Sequence, residues 1–253
     1  MSNLLRADLY KLTHLKSFYV IILLTALFHF LIILDLSFYP ESYQSTYDHV
    51  LEIAFWPFSV WQFMPIVIPL ALGIFICLFV TLDFSNGTMR DPVTLGHRRM
   101  HVFLSKSLVS GFGAALIILI CMIVSILSSF TMFEGLSEVL NWNDVIQFGV
   151  RVILVMILAF AQGFMFTAIA FMVRNTAIVM AVHFSVALFI TMILGSVFQP
   201  NSSSFYYWLG TALTKVVGPL QLEGIGAIIV IALSYMLLSI LVGFFTFVKR
   251  DMK

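Results

Sequence analysis

Charged side chains are scarce in this sequence. Asp, Glu, Lys and Arg make up 10% of its 253 residues, hydrophobic residues 61%, and mean hydropathy is +1.07. Soluble domains carry about 25% charge, so these residues cannot cover a water-facing surface. A length that would suit one or two soluble domains therefore reads as a single polytopic bundle over residues 1–253. Cysteine is nearly missing as well. Cys77 and Cys121 fall inside apolar runs, far apart and without metal-ligand spacing, which reads as two small buried side chains.

Further absences narrow the chemistry. No Asp or Glu lies near the centre of any apolar run, where proton- or sodium-driven carriers usually place one. There is no HExxH zinc signature. No GxxxxGK[ST] phosphate loop occurs, and no Gly is followed by Lys. Without such a loop the chain has no means of cradling nucleotide phosphates. No catalytic residue, metal or cofactor is expected on this chain, and no nucleic-acid partner.

What is present is hydrophobic length. Six apolar runs, Phe18–Leu36, Met64–Leu82, Leu108–Phe130, Val152–Val173, Ala177–Val197 and Ile225–Phe247, approach the ~20 residues that a helix needs to span a bilayer. Backbone groups in lipid have no outside partner and barrel-type alternation is missing, so an all-α bundle of six spans is expected. Six spans put both termini on one side. Arg6, Lys11, Lys16, Arg90, Arg98, Arg99, Lys106, Arg174, Lys249, Arg250 and Lys253 share that side, leaving only Arg151 and Lys215 opposite. Positive charge stays inside, which makes both termini cytoplasmic in a multi-pass protein. The opposite loops carry Glu41, Asp48, Glu52, Glu134, Glu138, Asp144 and Glu223. Rings there, among them Tyr39, Tyr43, Phe55, Trp56 and Trp208, read as an interfacial aromatic belt.

Two pieces on the basic side have the pattern of docking elements. From Asn3 to Lys16, Leu4, Leu5, Leu9, Leu12 and Leu15 share one helical face and Arg6, Tyr10, Lys11, Thr13 and His14 the other. This predicts an amphipathic interfacial helix with Asn3 as its N-cap and Asp8 misplaced on the apolar face. A lipid-surface anchor explains the pattern equally well. The second piece is the polar stretch Asp83–Lys106 between spans two and three. Asn86-Gly87 ends the second helix. A short helix then follows, capped by Thr88 or restarted at Asp91-Pro92, and Gly96 closes it in a left-handed turn. The result is a compact hook.

The order Gly87-Thr88-Met89-Arg90, then Gly96, Arg99 and Lys106, resembles the cytoplasmic loop of type-2 ATP-binding-cassette permeases. More narrowly, it looks like the small six-span permeases of bacitracin and lantibiotic immunity and of phenol-soluble-modulin export. The basic arm with Leu9-Tyr10-Lys11-Leu12 and the Lys249-Arg250-Asp251 tail fit the same pattern. Pro92 and His97 depart from it: the family usually continues the helix at the first position and has a small hydroxyl residue at the second.

The resemblance implies a bacterial cytoplasmic-membrane permease that dimerises with a second or related copy. It would couple to a separate ATPase subunit carrying ATP and Mg, and export amphipathic peptides or lipid-like antimicrobial compounds. Thr88, Arg90, Asp91, Leu95, Arg98 and Arg99 would meet the ATPase. Leu5, Leu9, Leu12 and Lys11 would form the interfacial helix.

Few polar residues lie within the spans. His29, Gln162 and His183 are the candidates for a substrate path. Depths of ~16 Å for His29 and ~9 Å for His183, at ~1.5 Å per residue, argue against a shared haem-ligand pair. Ala159, Gly163 and Thr167, spaced by four, would let another helix approach closely. Two other classes stay open: a membrane immunity protein that sequesters peptide without transport, and an ion-coupled carrier built around Pro65 and Pro69 in span two.

Overall fold

The computed structural model describes residues 1–38, 51, 53–55, 64–133, 142–186, 193, 209, 212, 216 and 222–249. These residues are all-helical, and five helices are long and apolar enough to cross a membrane: Lys16–Ser37, Val67–Ser85, Arg99–Met132, Trp142–Val173 and Ile225–Phe247. The remaining expected span is described as a helix only in its first half, Thr176–Ser185; of its continuation to Val197 only Val186 and Ile193 are described.

In chain order, α1 (Ser2–His14) is followed by α2 (Lys16–Ser37). Leu15 between them is extended, with φ −78° and ψ 102°, so the amphipathic and apolar sequences meet at a break. The Tyr19 hydroxyl donates to the Thr13 carbonyl at 2.8 Å and closes the corner. Met1 takes the cap position of α1, so Asn3 lies within the helix and is not its cap. The second span is composite. α3 (Met64–Ile76) runs into a π-helical turn (Cys77–Thr81) and then α4 (Leu82–Ser85).

The hook follows as a 3-10 turn (Thr88–Arg90) and α5 (Asp91–Thr94). Gly87 at φ 76° and Gly96 at φ 87° bracket it. A Cβ at either would meet nothing within 4 Å, so the left-handed backbone itself, and not crowding, calls for glycine. The two expected ends are therefore in place, with Pro92 in the first turn of α5. The expected caps are not. Gly87 stands at the cap position ahead of Thr88, and the Asp91 side chain makes no capping bond.

α6 (Arg99–Met132) and α7 (Trp142–Val173) form the centre. Both begin well before the apolar runs expected from sequence; at the start of α6 the Arg99 side chain reaches the Phe247 carbonyl. They cross at glycine: a Cβ on Gly163 would lie 2.5 Å from the Gly111 Cα. The small stripe Ala159, Gly163 and Thr167 is buried, so the close approach it allows is spent within the chain. α8 (Thr176–Ser185) packs on α3 and α7, and α9 (Leu222–Lys249) on α6 and α7. α2 and α9 lie outermost, 28% and 22% buried over their apolar windows against 61% for the other three long spans. Their outward leucines suit hydrocarbon.

Candidate functional site at the basic end of the bundle

Basic residues from distant parts of the chain gather at one end of the bundle. α1, the base of α3–α4, the start of α6, the α7–α8 corner and the last turns of α9 all meet there. Its centre is a network of four charges, Asp8 and Lys106 buried and Lys11 and Asp83 half-buried. Lys106, two turns into α6, reaches Asp8 of α1 at 2.5 Å and Asp83 of α4 at 2.6 Å. Asp83 also holds Lys11 of α1 at 2.5 Å, and the Ser105 hydroxyl donates to Asp8. Beneath the two ammonium groups lies the Phe79 ring, 5.1 Å from Lys11 Nζ and 4.7 Å from Lys106 Nζ. Burial and the neighbouring Lys106 ammonium push Lys11 below the usual lysine range, while Asp83 pulls it back up.

The signal for this network was the residue that spoiled the amphipathic pattern. Leu4, Asp8 and Leu12 recur every four residues and are the buried face of α1. Asp8 is therefore aimed at the bundle with the leucines. Lys106, grouped by sequence with the exposed basic segment, is 6% exposed and fully engaged. Of the interfacial-helix residues, Leu12 is buried, Leu5 half-buried and Leu9 exposed, and Lys11 turns inward.

The hook leans on this network. The Thr88 hydroxyl donates to Asp83 at 3.2 Å, and Met89 is buried beneath the turn. Arg90, Asp91 and Arg98 stay exposed, and Leu95 is 79% exposed at the tip. Arg99 is half-buried instead, with Nη1 3.5 Å from the Phe247 carbonyl near the end of α9. A groove of about 620 Å³ runs between α1 and the hook, past Asn3, Ala7, Asp91, Leu95 and His97.

On the far side, Arg174 adopts φ 59° and lies over the rings of Phe84 and Phe247 at 5.7 and 6.0 Å. Asn175 then caps α8 by accepting from the Ile178 amide at 3.2 Å.

The three intramembrane candidates sit apart from this end. The His29 ring Nδ1 is 2.7 Å from the Thr25 carbonyl of its own helix. His183 is wedged between the Phe166 ring, 4.2 Å away, and Gly73. It borders an apolar cavity of about 390 Å³ with Leu70, Ile74, Met180 and Phe184, which neither Gln162 nor His29 lines. Gln162, buried beside the α6–α7 crossing, has no partner for its Oε1 among the described residues. Phe55, expected in the aromatic belt, is buried, with its ring 4.8 Å from that of Phe148 and near Arg151. The other belt rings lie outside the described residues.

No family model matches this chain, and no curated protein matches it.

Proposed function

We propose that this protein is the membrane-spanning permease subunit of an ATP-driven exporter in a bacterial cytoplasmic membrane. Its cargo is amphipathic: peptides or lipid-like antimicrobial compounds. The observation that carries the reading is the hook between the second and third long helices. Two left-handed glycines pin it, and it leans on a buried charge network while presenting Arg90, Asp91, Leu95 and Arg98 to solvent. An exposed leucine ringed by charge at a rigid tip suits insertion into a socket on a soluble subunit.

ATP and Mg belong to that subunit, since the sequence holds no phosphate loop. The positive-inside bias supports placing the hook, α1 and both termini in the cytoplasm. A second copy, or a related permease, would complete the path, with outward α2 and α9 facing lipid or that copy. The interior is poor in charge, which favours a cargo that travels by partition and not by ion pairing.

The test is Arg90→Glu with Arg98→Glu, made in cells that co-express the ATPase subunit from the neighbouring reading frame. Arg99 is left intact because it engages the Phe247 carbonyl. At unchanged permease abundance, retention of the ATPase should fall at least tenfold and export should be lost. Unchanged retention and export would return these arginines to topology or to anionic lipid, worth about 1 kcal/mol each.

A further inference from the structure

We propose that the π-turn Cys77–Thr81 is a register switch in the second span, held in its π form by Lys11 from α1 and by Thr176 from α8. The inference needs no nucleotide-binding partner and stands whether or not the chain transports. π-turns are rare, and inside α-helices they concentrate at functional sites. This one sits where the apolar α3 gives way to the charged base of the span.

A π-turn takes one residue more than the α-ladder needs and so diverts carbonyls from it. Here polar groups of the turn have partners both within it and on two other helices. The Lys11 ammonium donates to the Phe79 carbonyl at 2.8 Å. The Thr81 hydroxyl lies 2.5 Å from the Cys77 carbonyl and 3.0 Å from the Thr176 hydroxyl. The Cys77 thiol donates to the Thr176 carbonyl at 3.3 Å. Two elements that are distant in sequence thus grip the same five residues from two sides.

The alternative register follows from helix geometry. Absorbing the extra residue into an α-turn would rotate everything after Thr81 by ~100° and shift it by ~1.5 Å relative to α3. Asp83 sits two residues beyond the turn. The rotation would carry its carboxylate away from both Lys11 and Lys106. A buried charge network that is only half-formed is strongly disfavoured, so intermediate rotations are poorly populated and the element has two states. The hook is joined to α4 only by Asn86 and Gly87 and turns with it. A torque on the hook would release α1 from Asp83 and Thr176 from Thr81 together. The present structure is the latched register.

The test uses the full chain in lipid nanodiscs, with Cys77→Ser, which keeps a hydroxyl donor for the Thr176 carbonyl, and Cys121→Ser. Spin labels at Thr94 on the hook and at Phe245, exposed near the end of α9, report their separation by pulsed dipolar spectroscopy. The parent should give one distance. Deleting Leu78 removes the extra residue itself, so an α-turn then holds everything beyond it in the present orientation; the whole population should stay at the parental distance, with or without Lys11→Met. Lys11→Met, which leaves the span untouched, should populate a second distance alongside the first. Asp83→Asn breaks the same latch from its other side, and its second distance must coincide with that of Lys11→Met. A single parental distance in Lys11→Met would overturn the proposal. So would second distances that differ between the variants, since loosening of the network without a register change gives broadening and not a shared new separation.

Discussion

Lys106 enters the bundle two turns inside α6, where an unpaired ammonium would cost several kcal/mol. Its two carboxylate partners, Asp8 and Asp83, arrive from α1 and α4, which Lys11 also ties together. Removing the lysine alone strands a buried carboxylate beside an apolar wall. Lys106→Met should therefore lower stability by about 3 kcal/mol, the low end of what breaking a buried ion pair costs. Adding Asp8→Leu removes the stranded charge and should restore at least half of the loss. Thermal unfolding of the two variants in the same detergent decides the matter. A double variant less stable than the single one would mean that packing, and not charge pairing, sets the energy of this site.

Among the elements, the α6–α7 crossing carries the bundle. The contact at Gly163 is backbone against backbone, so a methyl group there has no flexible neighbour to displace. Gly163→Ala should force the helices apart and cost about 1–3 kcal/mol. Gly149→Ala, on the same helix where an added Cβ meets nothing within 4 Å, should be neutral or stabilising by up to about 1 kcal/mol. Denaturant titrations of both variants against the parent test the contrast. Equal effects would show that helix propensity, and not the crossing, governs this helix. The spacing Ala159, Gly163, Thr167 made a close approach legible in the sequence. Which helix would accept it was not legible, because any small-residue stripe admits any partner of the right shape.

Across the whole molecule, Lys11, Lys106, Arg99 and Arg174 converge on one end although they come from three places in the chain. Trp142 and Asn143 begin α7 at the other end and are exposed. In a background without native cysteines, a cysteine at Asn143 should react with an impermeant thiol reagent applied to intact cells. One at Thr94 should react only after the membrane is opened. Labelling of Thr94 from outside would invert the orientation and remove the hook from any cytoplasmic ATPase.

Hydrophobic length and the near absence of charge were sufficient to determine an all-helical, membrane-embedded class, because lipid permits a single-chain segment of that composition little else. The hook's two ends were legible as well, since a left-handed turn is read from the glycine that it requires. Tertiary structure alone decided the rest. Sequence marked Asp8 as a flaw in an amphipathic face and Lys106 as one more exposed cation; the fold pairs them across 98 residues of chain. The π-turn carries no composition of its own. It depends on partners that reach it from α1 and α8, and a one-dimensional pattern holds no record of which side chains meet across helices.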